Sequence, residues 1–476
     1  MEFDVVIGME VHSQLLTSSK MFCGCGVEFG AEPNTLVCPV CLGMPGTLPQ
    51  LNRRAVELGV ITALALNCKI NYTSFFARKN YFYPDLPKGY QISQHRVPIG
   101  EGGYVEIEVE GGIKRIGIRR VHIEEDSGKL FHTDEGVFVD YNRAGVPLVE
   151  IVTEPDITSP EEAVAYLKAL RQILRYTGVS LADMEKGHFR CEPNVSLRPA
   201  GESGFGVRCE IKNLNSMRAV EQALSAEIAR QRRVLMDGGS VESQTFLWDE
   251  KRKSAVPMRE KETSAEYRYF EDPDLPPLVL SKEWVEELRD TLPELPLQRK
   301  ARFVAQYGIR DYDAGVLTEE RPLADFFEAV VKEGVSPRET AHFIEGPVLS
   351  YLGDSGRKIE DISPLHIAEL IRLIEEGRIN RNTAVSILPE VVESGKSPSS
   401  IVEEKGLVQV SSSDAVARVV EEVLSANPDE LDRYRAGEKK LFGFFMGEVM
   451  KRMQRKANPH VVKEVLREDL ERESGC

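Results

Sequence analysis

Through most of the first 277 positions, apolar and polar residues alternate or fall into short apolar runs bounded by Gly or Pro. The pattern is clearest in VVIGMEVHSQL, YVEIEVE, IKRIGIRRVHIEE, GVFVDYN, VPLVEIVTE, FRCEPNVSL and GVRCEIKNL. Alternation sets every second side chain on one face of an extended strand, so these segments predict strands. Hairpin-like spacing near residues 100–140 predicts a largely antiparallel or mixed sheet. Helices are predicted over Arg53–Leu66, Ser159–Tyr176 and Ser216–Asp237. The second has a readable start: Ser159 as N-cap, Pro160 first, then Glu161 and Glu162 at the positive dipole end. The stretch Tyr81–Gln94, YFYPDLPKGYQISQ, has almost no helical or strand period. Pro84 and Pro87 forbid helix and remove backbone donors, so it reads as a stiff aromatic loop with a task beyond connection.

At EDPDLPPL (271–278) the strand signal stops. Segments 282–290, 298–307, 322–334, 337–352, 364–376, 380–388, 414–425 and 438–455 then read as amphipathic helices. A polar interruption near Lys405–Ser413 divides them. The expected organisation is an α+β chain with a sheet-based domain over 1–290, an all-helical domain over 291–405 and a helical tail over 406–476.

Composition narrows the class. The chain has 476 residues, 42% hydrophobic and 29% charged, as an ordinary multidomain soluble protein has. Its apolar runs are too short to cross a membrane, and the acidic MEFDVVIGMEVH lacks the marks of a signal peptide. A cytoplasmic location without membrane association is expected. The net charge of −16 argues against a protein that coats nucleic acid, while allowing a local basic patch.

Carboxylates recur inside the predicted strands. Glu10 and His12 share one strand face. Glu124, Glu125 and Asp126 end the strand RIGIRRVHIEED; Glu150 lies within VPLVEIV; Glu192 alternates with Asn194; Arg208, Glu210 and Lys212 alternate in GVRCEIKNL. Buried carboxylates are costly and repel one another unless a cation compensates. Oxygen-rich ligands with one His suit Mg²⁺ or Mn²⁺. Glu10, His12, Glu125, Glu150 and Glu210 are the expected Mg²⁺ ligands, with Glu124, Asp126 and Glu192 around them. Mg²⁺ commonly accompanies nucleotide phosphates, and Lys79, Lys88, Arg190, Arg208 and Lys212 are candidates to meet those of ATP. There is no GxxxxGK[ST] loop. His95, His122, His132, His188, His342, His366 and His460 have no partner assignable from spacing.

Two further constellations stand out. Cys23-x-Cys25 and Cys38-x-x-Cys41 are two close pairs twelve residues apart, a knuckle-like spacing for one structural Zn²⁺. From Arg433 to Lys456 eight basic residues face two acidic ones, Glu438 and Glu448. Lys439, Lys440, Lys451, Arg452, Arg455 and Lys456 are the expected RNA-docking face, with Leu441, Phe444, Phe445, Val449 and Met450 as the packing stripe.

These segments resemble one family over essentially the whole chain. YFYPDLPKGYQISQ, IGMEVHSQL, EEDSGK, DYNRAGVPLVEIVTEPDI, GHFRCEPNVSLRP, EIKNLNS and GFFMGEVMK look like the B subunit of the tRNA-dependent amidotransferases. The resemblance implies work with an amidase-type A subunit and a small C subunit on Glu-tRNA(Gln), Asp-tRNA(Asn) or both. It implies ATP- and Mg²⁺-dependent phosphorylation of the side-chain carboxyl, then amidation by ammonia from the A subunit. It implies a cradle domain of the glutamine synthetase/guanidino-kinase kind and a tRNA-contacting helical tail. It makes the region of Lys79 and Lys88 a channel lining. Glu125, Lys79 and Lys88 are the expected catalytic residues. The competing readings are a non-catalytic tRNA scaffold and a free-standing γ-glutamyl ligase. The carboxylate set opposes the first and the basic C-terminal helix the second.

Overall fold

The structure is a computed structural model that describes residues 2–258, 267–408, 413–453, 457 and 459–471. Arg455, Lys456, Cys476 and residues 409–412 of the polar interruption lie outside them. The chain divides into two compact units, Met1–Leu297 and Gln298–Cys476. No helix among the described residues is long and apolar enough to cross a membrane.

The first unit is built on a mixed sheet. Its central strand, Phe3–Gln14, lies between Phe189–Pro199 and Pro147–Thr153, both antiparallel to it. Beyond Phe189–Pro199 come Cys209–Lys212, then Thr245–Asp249, which runs parallel to its neighbour, then Ser254–Pro257. Beyond Pro147–Thr153 come Gly112–Glu125, Tyr90–Gln94 and Phe76–Asn80. Gly100–Val109 forms a hairpin with Gly112–Glu125.

Alternation in the central strand is nearly perfect. Ile7, Met9 and Val11 are buried, while Glu10, His12 and Gln14 are half-buried. The apolar set joins Val149, Ile151, Val121, Ile123, Val195 and Ile211 in one core with three helices, Arg53–Ala65, Pro160–Tyr176 and Met217–Met236. Each fully buried Val or Ile contributes about 1.5–3 kcal/mol, so sliding a strand by one residue would cost several such terms. The expected cap is present: Ser159 Oγ accepts from Glu162 N at 3.2 Å.

Two readings change. Tyr81–Gln94 is only partly a loop, because Tyr90–Gln94 is a strand paired with Phe76–Asn80. Its Gln-Ile-Ser-Gln core was hidden by the prolines before it. Thr245–Asp249 and Ser254–Pro257 are sheet strands that the periodicity did not single out.

The second unit is helical and carries two separate cores. One gathers residues between Phe303 and Val402, the other residues between Val416 and Leu470. The expected helix over 337–352 is interrupted by a π-turn, Ile344–Val348, around Pro347. In the Phe442–Arg452 helix Phe445 and Val449 are buried, but Phe444 is 39% exposed. Phe444 therefore leaves the expected packing stripe.

Gly59 marks a close helix–sheet approach. A Cβ there would lie 2.6 Å from Ile123 Cγ2. Gly59→Val should destabilise the first unit by about 1–3 kcal/mol through overpacking, read as a lower midpoint in denaturant unfolding.

Candidate active site and metal centres

The polar face of the sheet carries the site. His12 opposes Glu150 on one side and Arg190 on the other; Glu10 opposes Glu192; Glu150 opposes His122; Asn194 opposes Glu210. Residues directly opposite in a sheet share a face, so one register brings these groups together.

They form two adjoining clusters. In the first, His12 Nε2 lies 3.4 Å from Glu124 Oε1 and 3.2 Å from Glu150 Oε2. His122 Nε2 approaches the same two carboxylates, at 3.5 Å from Glu124 and 3.2 Å from Glu150. Burial opposes charge on His12, but Glu150 and Glu124 prevail and hold its pKa well above the ordinary value. His122 is raised in the same way, and Glu150 is held well below the carboxylate range by the two imidazoles.

The second cluster is Glu10, Glu192 and Glu210, whose carboxylate oxygens come within 4.8 Å of one another. Lys212 Nζ lies 2.7 Å from Glu192 Oε2 and 3.8 Å from Glu210 Oε1. Although burial works against it, Lys212 pulls the Glu192 carboxyl down to about 2. Glu10 forms no ion pair among the described residues. Burial, then Glu150, Glu192 and Glu210, push its pKa up, and His12 lowers it only in part. Asn194 Nδ2 donates to Glu10 Oε1 at 3.2 Å, and Asn194 Oδ1 is buried and unpaired. A carboxyl only partly compensated, beside an unused acceptor, is a surrounding that an oxygen-binding divalent cation would complete. His12, Glu124 and Glu150, with His122 beside them, make a second cation-sized set.

Glu125 does not join either cluster. The strand Gly112–Glu125 has a bulge: Val152 faces Arg120, but Thr153 faces Ile118. Before it the buried positions are Ile116 and Ile118; after it they are Val121 and Ile123. The extra residue reverses the alternation. Glu124 thereby turns to the polar face and Glu125 to the other, which corrects the expected ligand set. Glu10, His12, Glu150 and Glu210 lie on the polar face, divided between two clusters that could each hold a metal ion. The expectation missed His122, although its spacing from Glu124 was the available signal.

The cations also separate. Arg190 pairs with Asp126 at 2.8 Å, and its buried Nε is unpaired. Arg208 is exposed and precedes the Cys209–Lys212 strand, so it does not line the face with Glu210 and Lys212. Lys79 extends the polar face at its far edge, 4.8 Å from the Tyr267 ring and 5.8 Å from that of Tyr81. Burial disfavours its charge, but Tyr269 and Glu124 keep its pKa raised. Lys88 instead forms an ion pair with Glu125, whose Oε1 also accepts from Ile92 N at 2.9 Å.

Cys23, Cys25, Cys38 and Cys41 converge, with their sulfurs within 4.8 Å of one another. Cys41 Sγ accepts from Cys38 N at 3.2 Å, and Lys20 Nζ lies 3.7 Å away. Bonding from the Cys23 thiol, with help from Cys38 N and Lys20, holds Cys41 well below the ordinary thiol value. Four converging thiols with one already favoured as thiolate fit a closed tetrahedral zinc site.

Residues 5–286 match the family model described as the GatB/GatE catalytic domain, and residues 325–470 match the one described as the GatB domain. The chain belongs to the B-subunit family of the aspartyl/glutamyl-tRNA amidotransferases. It is 52% identical to the B subunit of the aspartyl/glutamyl-tRNA(Asn/Gln) amidotransferase of Thermodesulfovibrio yellowstonii, over 98% of this chain and 99% of that protein. The protein of the same name from Persephonella marina is 51% identical over 99% of this chain and its own full length. That from Oleidesulfovibrio alaskensis is 52% identical over 98% of this chain and 99% of its own. Family membership makes this chain part of a glutamine-dependent aminoacyl-tRNA amidotransferase.

Two outcomes follow for the metals. A divalent ion entering the His12 cluster must displace its proton, so Mn²⁺ affinity measured calorimetrically should rise from pH 6 to pH 8, by roughly tenfold per unit for one displaced proton. His12→Ala should flatten that slope. Purified protein should carry about one zinc per chain, and Cys38→Ser with Cys41→Ser should remove it.

Proposed function

We propose that the polar sheet face is where the side-chain carboxyl of Glu-tRNA(Gln) or Asp-tRNA(Asn) is phosphorylated by ATP and then amidated. The observation that carries this reading is the pair of adjoining carboxylate clusters, with Glu10 only partly compensated. We read the sheet as a cradle of the glutamine synthetase/guanidino-kinase kind.

A carboxylate resists attack by ammonia, because the amine is simply protonated by the acid form. Activation as an acyl phosphate supplies a leaving group. Mg²⁺ held by Glu10, Glu192 and Glu210, and by His12, Glu124 and Glu150, would neutralise charge on the transferred phosphoryl. The chain's own residues do the rest. Arg190, with its unpaired Nε, and Lys212 offer donors to phosphate oxygens on the same face. Lys79, among its tyrosines, supplies a fixed positive charge at the edge beside Glu124. Glu125 and Lys88, on the reverse of the same strand end, bound a cavity of about 70 Å³ that is a candidate stretch of ammonia passage. A protected route lets ammonia meet the activated carboxyl before water does.

Ammonia and tRNA set the partners. We assign the ammonia source to an amidase-type A subunit, with a small C subunit completing the heterotrimer in the cytoplasm. The exposed Lys439, Lys440, Lys451 and Arg452 form the candidate tRNA-docking face. It is partly offset, since Arg452 lies 3.5 Å from Glu422 and Lys451 3.8 Å from Glu448.

Glu124→Gln should lower ammonium-driven amidation of Glu-tRNA(Gln) on the order of 100-fold, measured in the assembled enzyme with the tRNA-binding constant unchanged. Retention of wild-type turnover would favour the scaffold reading. Lys451→Glu with Arg452→Glu should instead raise the KM for aminoacyl-tRNA and reduce its salt dependence.

A further inference from the structure

The cysteine knuckle and the Lys88–Glu125 pair face the same cavity. Its walls include Cys23, Cys41, Gly43 and Met44 from the knuckle, and Lys88 and Glu125 from the sheet margin. Two contacts join the sides. Gly43, two residues beyond the last cysteine, has φ +67°, and a Cβ built on it would lie 2.6 Å from Lys88 Cγ and 3.1 Å from Lys88 Cα. The knuckle backbone therefore rests on Lys88 with no room for a side chain, in a conformation that favours glycine. Lys20, fully buried, lies 3.7 Å from Cys41 Sγ and donates to the Tyr141 carbonyl at 3.2 Å. A Cβ built on Gly145 would lie 3.5 Å from Lys20 Cδ and 3.8 Å from Glu125 Oε2, so that glycine sits close to both.

We propose that the zinc knuckle is the clamp that positions Lys88 on Glu125, with Gly43 and Lys20 as its two positioning residues. Zinc fixes the spacing of Cys38 and Cys41, and that spacing fixes Gly43 against Lys88. Lys20 places a positive charge against the Cys41 sulfur, offsetting the excess negative charge of four thiolates on one divalent ion, and anchors the knuckle to the Tyr141 segment. Without the metal the knuckle loses its covalent-strength closure, and the ion pair is free to open. The link to ammonia delivery rests on reading this cavity as part of the passage; the clamp itself does not.

The test is acetylation of lysines in the full-length chain with a water-soluble acylating reagent, followed by mass spectrometry, with exposed Lys282 as the internal reference. Three samples are compared: zinc-loaded, zinc-stripped by chelation, and Gly43→Ala with its zinc content measured. Lys88 should react about tenfold faster in the stripped protein and in zinc-loaded Gly43→Ala, as local opening exposes it. Lys20→Met should release zinc to a colorimetric chelator faster than the parent chain. Unchanged Lys88 reactivity in both altered samples would overturn the clamp. A rise spread evenly over all buried lysines would do so too, since it would make the zinc a general staple. In the assembled enzyme the ratio of glutamine-driven to ammonium-driven amidation should fall for Gly43→Ala. A steady ratio with faster Lys88 labelling would overturn the passage reading and leave the clamp standing.

Discussion

Negative charge gathered on one face of a sheet is the constraint around which the first unit is organised. Glu10, Glu124, Asp126, Glu150, Glu192 and Glu210 are held there by strands whose other face is locked into an apolar core. None can turn away without dragging its strand out of register. The repulsion is met locally by His12, His122, Arg190 and Lys212. It is met only in part at Glu10, where burial and three neighbouring carboxylates outweigh His12.

The same rigidity separates two kinds of chemistry within one strand end. Glu124 faces imidazoles and a metal-sized cluster; Glu125, one residue on, faces Lys88 and the knuckle cavity. Adjacent residues of a strand point to opposite sides, so a single peptide connects the two surfaces. An amidotransferase needs both at close quarters: a charged face for phosphoryl transfer and a sheltered approach for a neutral nucleophile. On the function proposed above, the fold would place them back to back.

Lys79 and Lys88 show how the loop between them serves this arrangement. Lys79 is in a strand and Lys88 lies before the next one, and the proline-rich turn joining them carries exposed Phe82 and Tyr83. Tyr141 Oη donates to the Pro84 carbonyl at 2.7 Å, tying that turn to the segment that also receives Lys20. The aromatic loop, the knuckle and the strand end are thus one stitched region.

Much of this was decided by the chain's local pattern. Alternation in IGMEVHSQ and FRCEPNVSL placed Glu10, His12, Glu192 and Asn194 on a common kind of face, and Ser159-Pro160 set a helix start, because strand and helix periods are properties of a few consecutive residues. The cysteine spacing likewise marked its cluster. Family membership was also readable, being carried by long contiguous segments. What local pattern did not decide was which carboxylate of Glu124-Glu125 turns inward: a bulge opposite Thr153 reverses the alternation, and a bulge is defined by the partner strand. Nor did it decide that His122 would meet Glu150, that Arg208 would fall outside its strand, or that Lys20 would be buried against Cys41. Those outcomes depend on strand order and register between segments separated by tens to hundreds of residues, and only the assembled sheet sets them.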